Sequence, residues 1–563
     1  MNNKNLDNEE FQYTHIFNLL KKIFQFNEKK YGDYVKDTLK ILLEFEKTGE
    51  TIIQVDEILI LFELLKDGWP NDHLNVLEKI GLLNSINSPF VLKDRKLTLV
   101  KWSIKINRVI NNFLKKINKI PINSNDDNKL NQIKNILESS NLVFLQGGPG
   151  TGKTTLIINF IFHCLKKDGF LNIGISAPTG KATSRLKESL NQQKEFFQTK
   201  GIDQIECQTL HKWILNSNHK AFKLKFKLKE LDIFIIDEMS MVNIDMIEST
   251  LALLAKDCKI ILVGDRNQLS PVKSCSIWNY LFEYSDNNLL KSCTVNLNKT
   301  FRNSGNIQLL SNLIFNDSNQ LFHNKISQLE NENKIKDVNI IKSKNKNIPT
   351  NLLKIINNNL YKLRKSTSNL SNKKYIFDNR IENLLDYEKD LVNKILLNLQ
   401  SHLILCEKNT GDWSVENINE IVLGKTKFYD FKSLDEGLPI MCTKNNNELG
   451  ISNGDIGVLI GKKENRKYLF RRFNDKNELV VQLIDPFTLE NIIPAIAITI
   501  HKSQGSESEK VSILWPKKSK SDGSLNIANE KNVKILFRDN YEKRLLYTAI
   551  TRAKNLLDIY YLN

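Results

Sequence analysis

The sequence predicts an α/β fold, and three observations carry that expectation. From about residue 128, short β-rich apolar runs alternate with helical segments, the rhythm of a parallel sheet with helices on its faces. A glycine-rich turn at 147–152 falls between one such run and a helix. After a β-rich interval at 437–495 the α/β rhythm resumes to the C-terminus. With 563 residues and ~150 residues per domain, roughly four domains are expected, and the chain can bury more than one core.

Taken in order, residues 1–120 read as mostly helical. Ile16-Phe17, Leu19-Leu20 and Ile23-Phe24 form one helical face, and Ile58–Phe62 with Leu64-Leu65 forms another. Val91-Leu92 and Lys96–Leu99 read as a small hairpin, and the polar stretch Pro121–Asp127 as a linker. Strands follow at Leu142–Leu145, Ile173–Ser176, Ile233–Ile236 and Lys259–Val263, with a helix opening at Lys153. Residues 303–400 are rich in Asn and Lys, and Glu332–Asn347 reads as an exposed connector. Within 437–495, strands are expected at Ile440–Cys442, Gly457–Ile460 and Val480–Leu483, with turns at Asn453–Asp455 and Asp485-Pro486. A small barrel-like insertion fits them. The expected division is a helical domain at 1–120, a first α/β unit at 121–302 and a second at 303–563, interrupted at about 437–495.

Lys+Arg is 81 and Asp+Glu is 64, a net charge of +17. The surplus suits a polyanionic partner such as nucleic acid. It equally suits an AT-biased coding sequence that fills the surface with solvated lysine, and charge alone leaves both open. No apolar run approaches ~18 residues, so no membrane span is expected. Met1-Asn2-Asn3-Lys4 leads into acidic residues, so no secretory signal is expected. The seven cysteines (164, 207, 258, 275, 293, 406, 442) form no Cys-x-x-Cys pair, and the eight histidines show no His-Glu-x-x-His spacing. Both argue against disulfide and zinc frameworks and for a reducing, cytoplasmic setting.

Gly147-Gly148-Pro149-Gly150-Thr151-Gly152-Lys153-Thr154 matches the phosphate-binding loop G-x-x-x-x-G-K-[ST], and Thr155 follows. Glycines let backbone N–H groups wrap a phosphate, and the helix N-terminus adds positive potential. ATP is the expected cofactor, with Lys153 on its β- and γ-phosphates and Thr154 on Mg²⁺. Asp237-Glu238 ends an apolar strand. Asp237 is expected in the Mg²⁺ sphere, and Glu238 to orient and deprotonate the attacking water. Gln268, in Gly264–Gln268, can sense the γ-phosphate without carrying charge. Arg302 and Arg552 are candidate arginine fingers, each of which would neutralise charge as the phosphoryl group leaves. For either, a surface ion pair is the competing role.

The order of these motifs, with Ala177–Ala182, Thr499–Glu507 and Tyr547–Lys554, resembles superfamily 1 helicases. The wording of the phosphate loop, Ala177–Ala182, Asn453–Gly457 and His501–Glu507 is most similar to the RecD family, the alpha subunits of exodeoxyribonuclease V in RecBCD. The resemblance runs from about residue 90 to the end. It implies a P-loop NTPase with two RecA-like motor domains, an SH3-like β insertion in the second, and ATP-driven 5′→3′ DNA helicase activity. It also implies assembly with a beta helicase–nuclease subunit and a gamma recognition subunit, docked through the helical N-terminal domain. Such a complex processes double-strand ends for recombinational repair, with exonuclease activity only in the complex. Gln132 falls where the family places an adenine-reading Gln. Pro178, Thr179 and Lys181, then Thr209 and His211, and then Thr499, His501, Lys502, Ser503 and Gln504 fall where it contacts DNA. Hydroxyl, backbone N–H and ammonium groups can all hold phosphates. Trp213, Trp278 and Trp413 can stack bases or fill cores. Residues between Arg302 and Leu403 match only loosely, and Lys299 and Thr300 depart from many relatives. A free-standing RecD-like helicase and a non-catalytic scaffold are the competing functions.

Overall fold

The computed structural model describes residues 2–47, 49–56, 67–121, 127–168, 171–197, 204–219, 224–271, 274–283, 287–301, 305–315, 325–326, 328, 337–343, 346–372, 386–424, 434–446, 448–461, 465–473, 479–516 and 540–562. Arg302, the apolar run Ile58–Leu65, most of the 121–127 linker and Lys517–Lys520 lie outside them.

The N-terminal region holds helices Asn2–Phe24, Glu28–Lys47 and Asn71–Lys79 and strands β1 (Ile52–Gln54), β2 (Phe90–Lys93) and β3 (Lys96–Leu99). The expected β2–β3 hairpin forms, and β1 joins it to give the antiparallel order β1-β3-β2. Phe17 and Leu20 of the first helix bury against Val35, Leu39, Trp69 and Phe90. Ile23, on the same expected face, is 66% exposed. The helix Val100–Leu114 packs elsewhere. Its Trp102, Ile106, Val109 and Phe113 enter the core of the first large sheet, so it belongs with that sheet despite preceding the linker.

That sheet contains β4 (Leu142–Gly147), β5 (Ile173–Ala177), β6 (Ile205–Thr209), β7 (Ile233–Ile236), β8 (Lys259–Gly264) and β9 (Thr294–Leu297). All pair in parallel, in the order β6-β5-β7-β8-β4-β9. The four expected strands are the inner ones. They read clearly because strands covered on both faces become continuous apolar runs. The two unexpected ones, β6 and β9, are edges. Ile205-Glu206-Cys207-Gln208-Thr209 and Thr294-Val295-Asn296-Leu297 alternate polar with apolar residues and resemble loop.

The second parallel sheet comprises β10 (Val338–Ser343), β11 (His402–Cys406), β17 (Ile498–Thr499), β18 (Ser508–Trp515) and β19 (Ala553–Leu562), in the order β10-β19-β18-β11-β17. β10 corrects the expectation of a connector at Glu332–Asn347. It pairs with β19 from Val338 to Ser343, and Val338 is fully buried. Its edge position, with Asn339 and Lys342 exposed, explains its polar wording. Between β11 and β17 the chain forms a separate antiparallel sheet of β12 (Pro439–Cys442), β13 (Ile456–Ile460), β14 (Lys467–Phe473), β15 (Leu479–Ile484) and β16 (Ile492–Pro494), ordered β15-β14-β13-β12-β16. The three expected strands are present. β14 escaped notice because Lys467 and Arg471-Arg472 mask a core of Leu469 and Phe470. The fold is thus that of a P-loop NTPase with two RecA-like parallel sheets and a β insertion in the second.

The three tryptophans are core residues and are not available to stack bases. Trp213 and Trp278 are fully buried and Trp413 is 1% exposed. Their indole N–H groups donate to Ile175 O, Gln146 Oε1 and Asn347 O. All seven cysteines are free thiols. Among the described residues no helix is long and apolar enough to cross a membrane.

Candidate nucleotide cleft and polar track

Strand β4 ends at Gly147, and the helix Lys153–Asp168 begins six residues later. Gly150 and Gly152 take φ of 73° and 81°, which side-chain-bearing residues rarely adopt. The loop curls around its own mouth. Thr151 Oγ1 donates to Gly148 O at 2.8 Å, and Lys153 Nζ donates to Gly147 O at 2.6 Å and Gly148 O at 2.9 Å. A phosphate entering here would replace those carbonyls as the partner of the ammonium. Thr154 is half-buried at the first turn, and Thr155 is exposed. Pro149 lines a cavity of about 500 Å³ with Gly148, Asp265, Asn298, Tyr547 and Thr551. Gln132 sits on the helix Lys129–Ser139, where its Oε1 accepts from Lys129 Nζ at 3.3 Å.

Asp237 follows β7 and is held by its main chain, its N–H donating to Ser176 O at 2.8 Å. Its carboxylate accepts the Glu238 N–H at 2.8 Å. Glu238 itself is left-handed, with φ 54° and ψ 44°, which turns the chain out of the strand. Burial, and then the adjacent Glu238, push the Asp237 carboxyl up to about 6, against the pull of Lys153. Thr154 hydroxyl and Asp237 carboxylate are hard oxygen donors of the kind Mg²⁺ takes. No group of three or more His, Cys, Asp or Glu able to hold a metal occurs among the described residues. Phosphate oxygens and water would complete the shell, which is how Mg²⁺ is ordinarily held. Gln268 is 3% exposed, its Nε2 lies 3.5 Å from Asp265 Oδ2, and its Oε1 is buried without a partner among the described residues.

The other wall comes from the second motor sheet. The helix Asn540–Ile550 leads into Arg552, which is 2% exposed. Arg552 Nε donates to Thr548 O at 3.0 Å and Nη1 to Ser506 O at 3.3 Å. Burial lowers its pKa, while Glu238, Glu507 and Asp265 favour its charge. Glu238 and Asp265 belong to the first motor, so Arg552 lies within electrostatic reach of it, although its hydrogen bonds stay within the second. Three side chains that the sequence did not single out close the gap. Tyr547 OH donates to Asp265 Oδ2 at 2.9 Å, and Arg185 pairs with Glu507 at 2.6 Å. Tyr547 and Glu507 lie inside recognised motifs, which was the available signal. Nothing local marked Arg185.

The expected DNA contacts divide. Pro178 and Thr179 are half-buried at the turn from β5 into the helix Gly180–Phe197, and Thr179 Oγ1 accepts Ala182 N at 3.2 Å. Lys181 points into a cavity of about 490 Å³ between the motor sheets, shared with Arg185, Glu188, Asp455 and Arg471. Burial lowers its pKa to about 8, partly offset by Asp455. His211 is exposed beside half-buried Thr209. In the second cluster Thr499 is buried, and Lys502 is half-buried with its pKa lowered by burial. His501 accepts from or donates to Tyr541 OH at 3.3 Å. Ser503 is fully buried and its hydroxyl donates to Ile500 O at 2.6 Å, so its side chain is spent inside the fold. Gln504 Nε2 is buried and unpaired among the described residues.

Residues 131–274 match the AAA domain family. The chain is 32% identical to the RecBCD enzyme subunit RecD of Buchnera aphidicola subsp. Schizaphis graminum, over 75% of this chain and 70% of that one. It is 30% identical to the subunit of the same name from Buchnera aphidicola subsp. Acyrthosiphon pisum, over 92% and 87%. The chain belongs to the RecD family. A shorter stretch, 24% of this chain and 17% of that one, is 33% identical to the ATP-dependent RecD2 DNA helicase of Deinococcus radiodurans. Among solved structures, Bacteroides Pif1 bound to single-stranded DNA aligns at 18% identity with a TM-score of 0.38, covering 77% of this chain and 92% of that one.

Proposed function

We propose that this RecD-family chain is an ATP-dependent 5′→3′ DNA helicase and the alpha-type subunit of a RecBCD-type helicase–nuclease. One observation carries the motor reading. Tyr547 of the second motor donates to Asp265 Oδ2 of the first at 2.9 Å in the cavity that the phosphate loop lines, and the buried Arg552 follows on the same segment, within electrostatic reach of Glu238 and Asp265. A charge that reaches the γ-phosphate only when both sheets close around it links hydrolysis to their relative movement. Thr151, Lys153 and the loop amides bind the phosphates, Thr154 and Asp237 hold Mg²⁺, and Gln132 reads adenine. Bound there, Mg²⁺ would supply charge screening for the phosphates. Glu238 takes the proton of the attacking water, Gln268 senses the γ-phosphate, and Arg302 is a second candidate finger. Pro178, Thr179, Lys181, Thr209 and His211 grip the strand on one motor. Thr499, His501, Lys502 and Gln504 grip it on the other, with the buried Ser503 shaping the turn between them. Closure and reopening shift one grip against the other.

Likeness to the Buchnera subunits named RecD supports assembly with beta and gamma partners; docking through the N-terminal domain and work on double-strand ends in the cytoplasm are parts of the same proposal. The test is steady-state ATP hydrolysis by the full chain with and without single-stranded DNA. Stimulation by DNA is expected, and Lys153→Ala should lower it by ~10²–10³-fold. DNA-independent turnover, or turnover surviving Lys153→Ala, overturns the motor reading. Unwinding only of 3′-tailed duplexes overturns the polarity. Purification without either partner from cells expressing all three subunits overturns the assembly.

A further inference from the structure

Residues 49–51 tie the N-terminal domain to both walls of the nucleotide cleft. Gly49 N donates to Glu46 O and Glu50 N to Phe45 O, each at 3.1 Å, closing off the helix Glu28–Lys47. Thr51 O accepts Thr98 Oγ1 at 2.6 Å, which fixes the other end to β3. On the side of the first motor, Gly49 has φ +85° and approaches so closely that a Cβ there would collide with the Pro271 carbonyl. Thr51 also lies beside the buried Cys275 thiol, whose pKa it lowers against the larger effect of burial. On the side of the second motor, the Glu50 carboxylate pairs with Arg544 Nη1. The Arg544 side chain is 2% exposed and that of Glu50 is 12% exposed, so this pair is well shielded from water.

Arg544 lies three and four residues before Tyr547 and Thr548 on the helix Asn540–Ile550, so the three share a face. Tyr547 OH donates to Asp265, and Thr548 Oγ1 accepts Leu269 N at 3.3 Å. Asp265, Gln268, Leu269 and Pro271 form one continuous loop of the first motor. The same loop therefore touches Gly49 at one end and the Tyr547 face at the other.

We propose that Glu50 and Arg544 are positioning residues for ATP turnover. Their ion pair holds the helix Asn540–Ile550 where it presents Tyr547 to Gly148 of the phosphate loop and leads into Arg552, so the N-terminal domain is coupled to the cleft through Gly49–Thr51. This deepens the motor reading and rests on it.

The test uses the full chain with single-stranded DNA, measuring kcat and KM for ATP together with the thermal midpoint. Glu50→Gln is expected to lower kcat ~10-fold or more, since a misplacement of an ångström costs up to ~10²-fold, with KM for ATP held within about twofold. Glu50→Asp should restore most of the loss. Because an unpaired buried charge can unfold the chain, the exchange variant Glu50→Arg/Arg544→Glu is measured alongside. Recovery of kcat in the exchange variant relative to Glu50→Gln supports the proposal. A folded exchange variant no better than Glu50→Gln overturns it, as does a Glu50→Gln kcat within about twofold of wild type. Wild-type protein that hydrolyses no ATP in the presence of DNA overturns the motor reading itself. An active wild type with an indifferent Glu50→Gln overturns this proposal alone.

Discussion

Strand β4 of the first motor sheet and strand β11 of the second both run into a loop and then a helix, and the two loops behave differently. After β4, Gly147–Gly152 wraps an open mouth, with Gly150 and Gly152 at positive φ. After β11, residues 407–414 fold on themselves. Trp413 is buried in the core at 1% exposure, Val415 N donates to Lys408 O, and Ser414 Oγ caps the helix Val415–Leu423 by accepting Asn417 N. Asp412 pairs with Lys346 at 2.8 Å. The loop after β11 carries a core indole in place of the glycine-rich turn that follows β4. Two parallel sheets of the same class thus take unequal parts: one carries the glycine-rich loop, and the other reaches across with Tyr547. Architecture does not make a nucleotide site; the chemistry of its loops does.

The sharpest way to break this division is Arg552→Ala. Loss of a finger supplied by the second sheet should lower DNA-stimulated turnover ~10³-fold or more, and a fall under about tenfold would make Arg552 a structural residue.

Asp237 tests the cradle side. Its carboxyl is raised from 3.8 to about 6, so the folded chain binds that proton more tightly than the unfolded one. The stability this contributes is full below pH 3.8 and is lost as pH rises through about 6. Above that, a buried negative charge opposes folding. Asp237→Asn should therefore raise the thermal midpoint of the nucleotide-free chain at neutral pH, while ATP turnover collapses. The gain should vanish in acid. A midpoint that falls at neutral pH would show that the carboxylate is stabilised by its surroundings.

The smallest effect belongs to the rim. Arg471 of β14 pairs with Glu188 of the first motor at 2.6 Å, with both side chains 33% exposed. Arg471→Ala should cost under ~1 kcal/mol of stability and leave turnover within about twofold. A large loss of DNA-stimulated turnover would place the insertion inside the coupling between the motors.

The parts legible in the sequence are contiguous. The phosphate loop, Asp237-Glu238 and the inner strands each declare themselves within a few residues, because a glycine-rich turn or an apolar run is a local necessity. Edge strands such as β6, β9 and β10 were missed, since one polar side is all an edge requires. The tryptophans were ambiguous because an aromatic side chain has the same formula in a core and on a base.

By itself the sequence determined which backbone can bend around a phosphate and which strands lie buried on both faces. The tertiary structure alone decided who meets whom across the cleft. Tyr547 finds Asp265 over 282 residues, Arg185 finds Glu507 over 322, and Arg544 finds Glu50 over 494. Local propensity acts over a turn or a strand. A pairing between distant charges exists only once packed sheets have fixed both ends and excluded the water that would otherwise satisfy each alone.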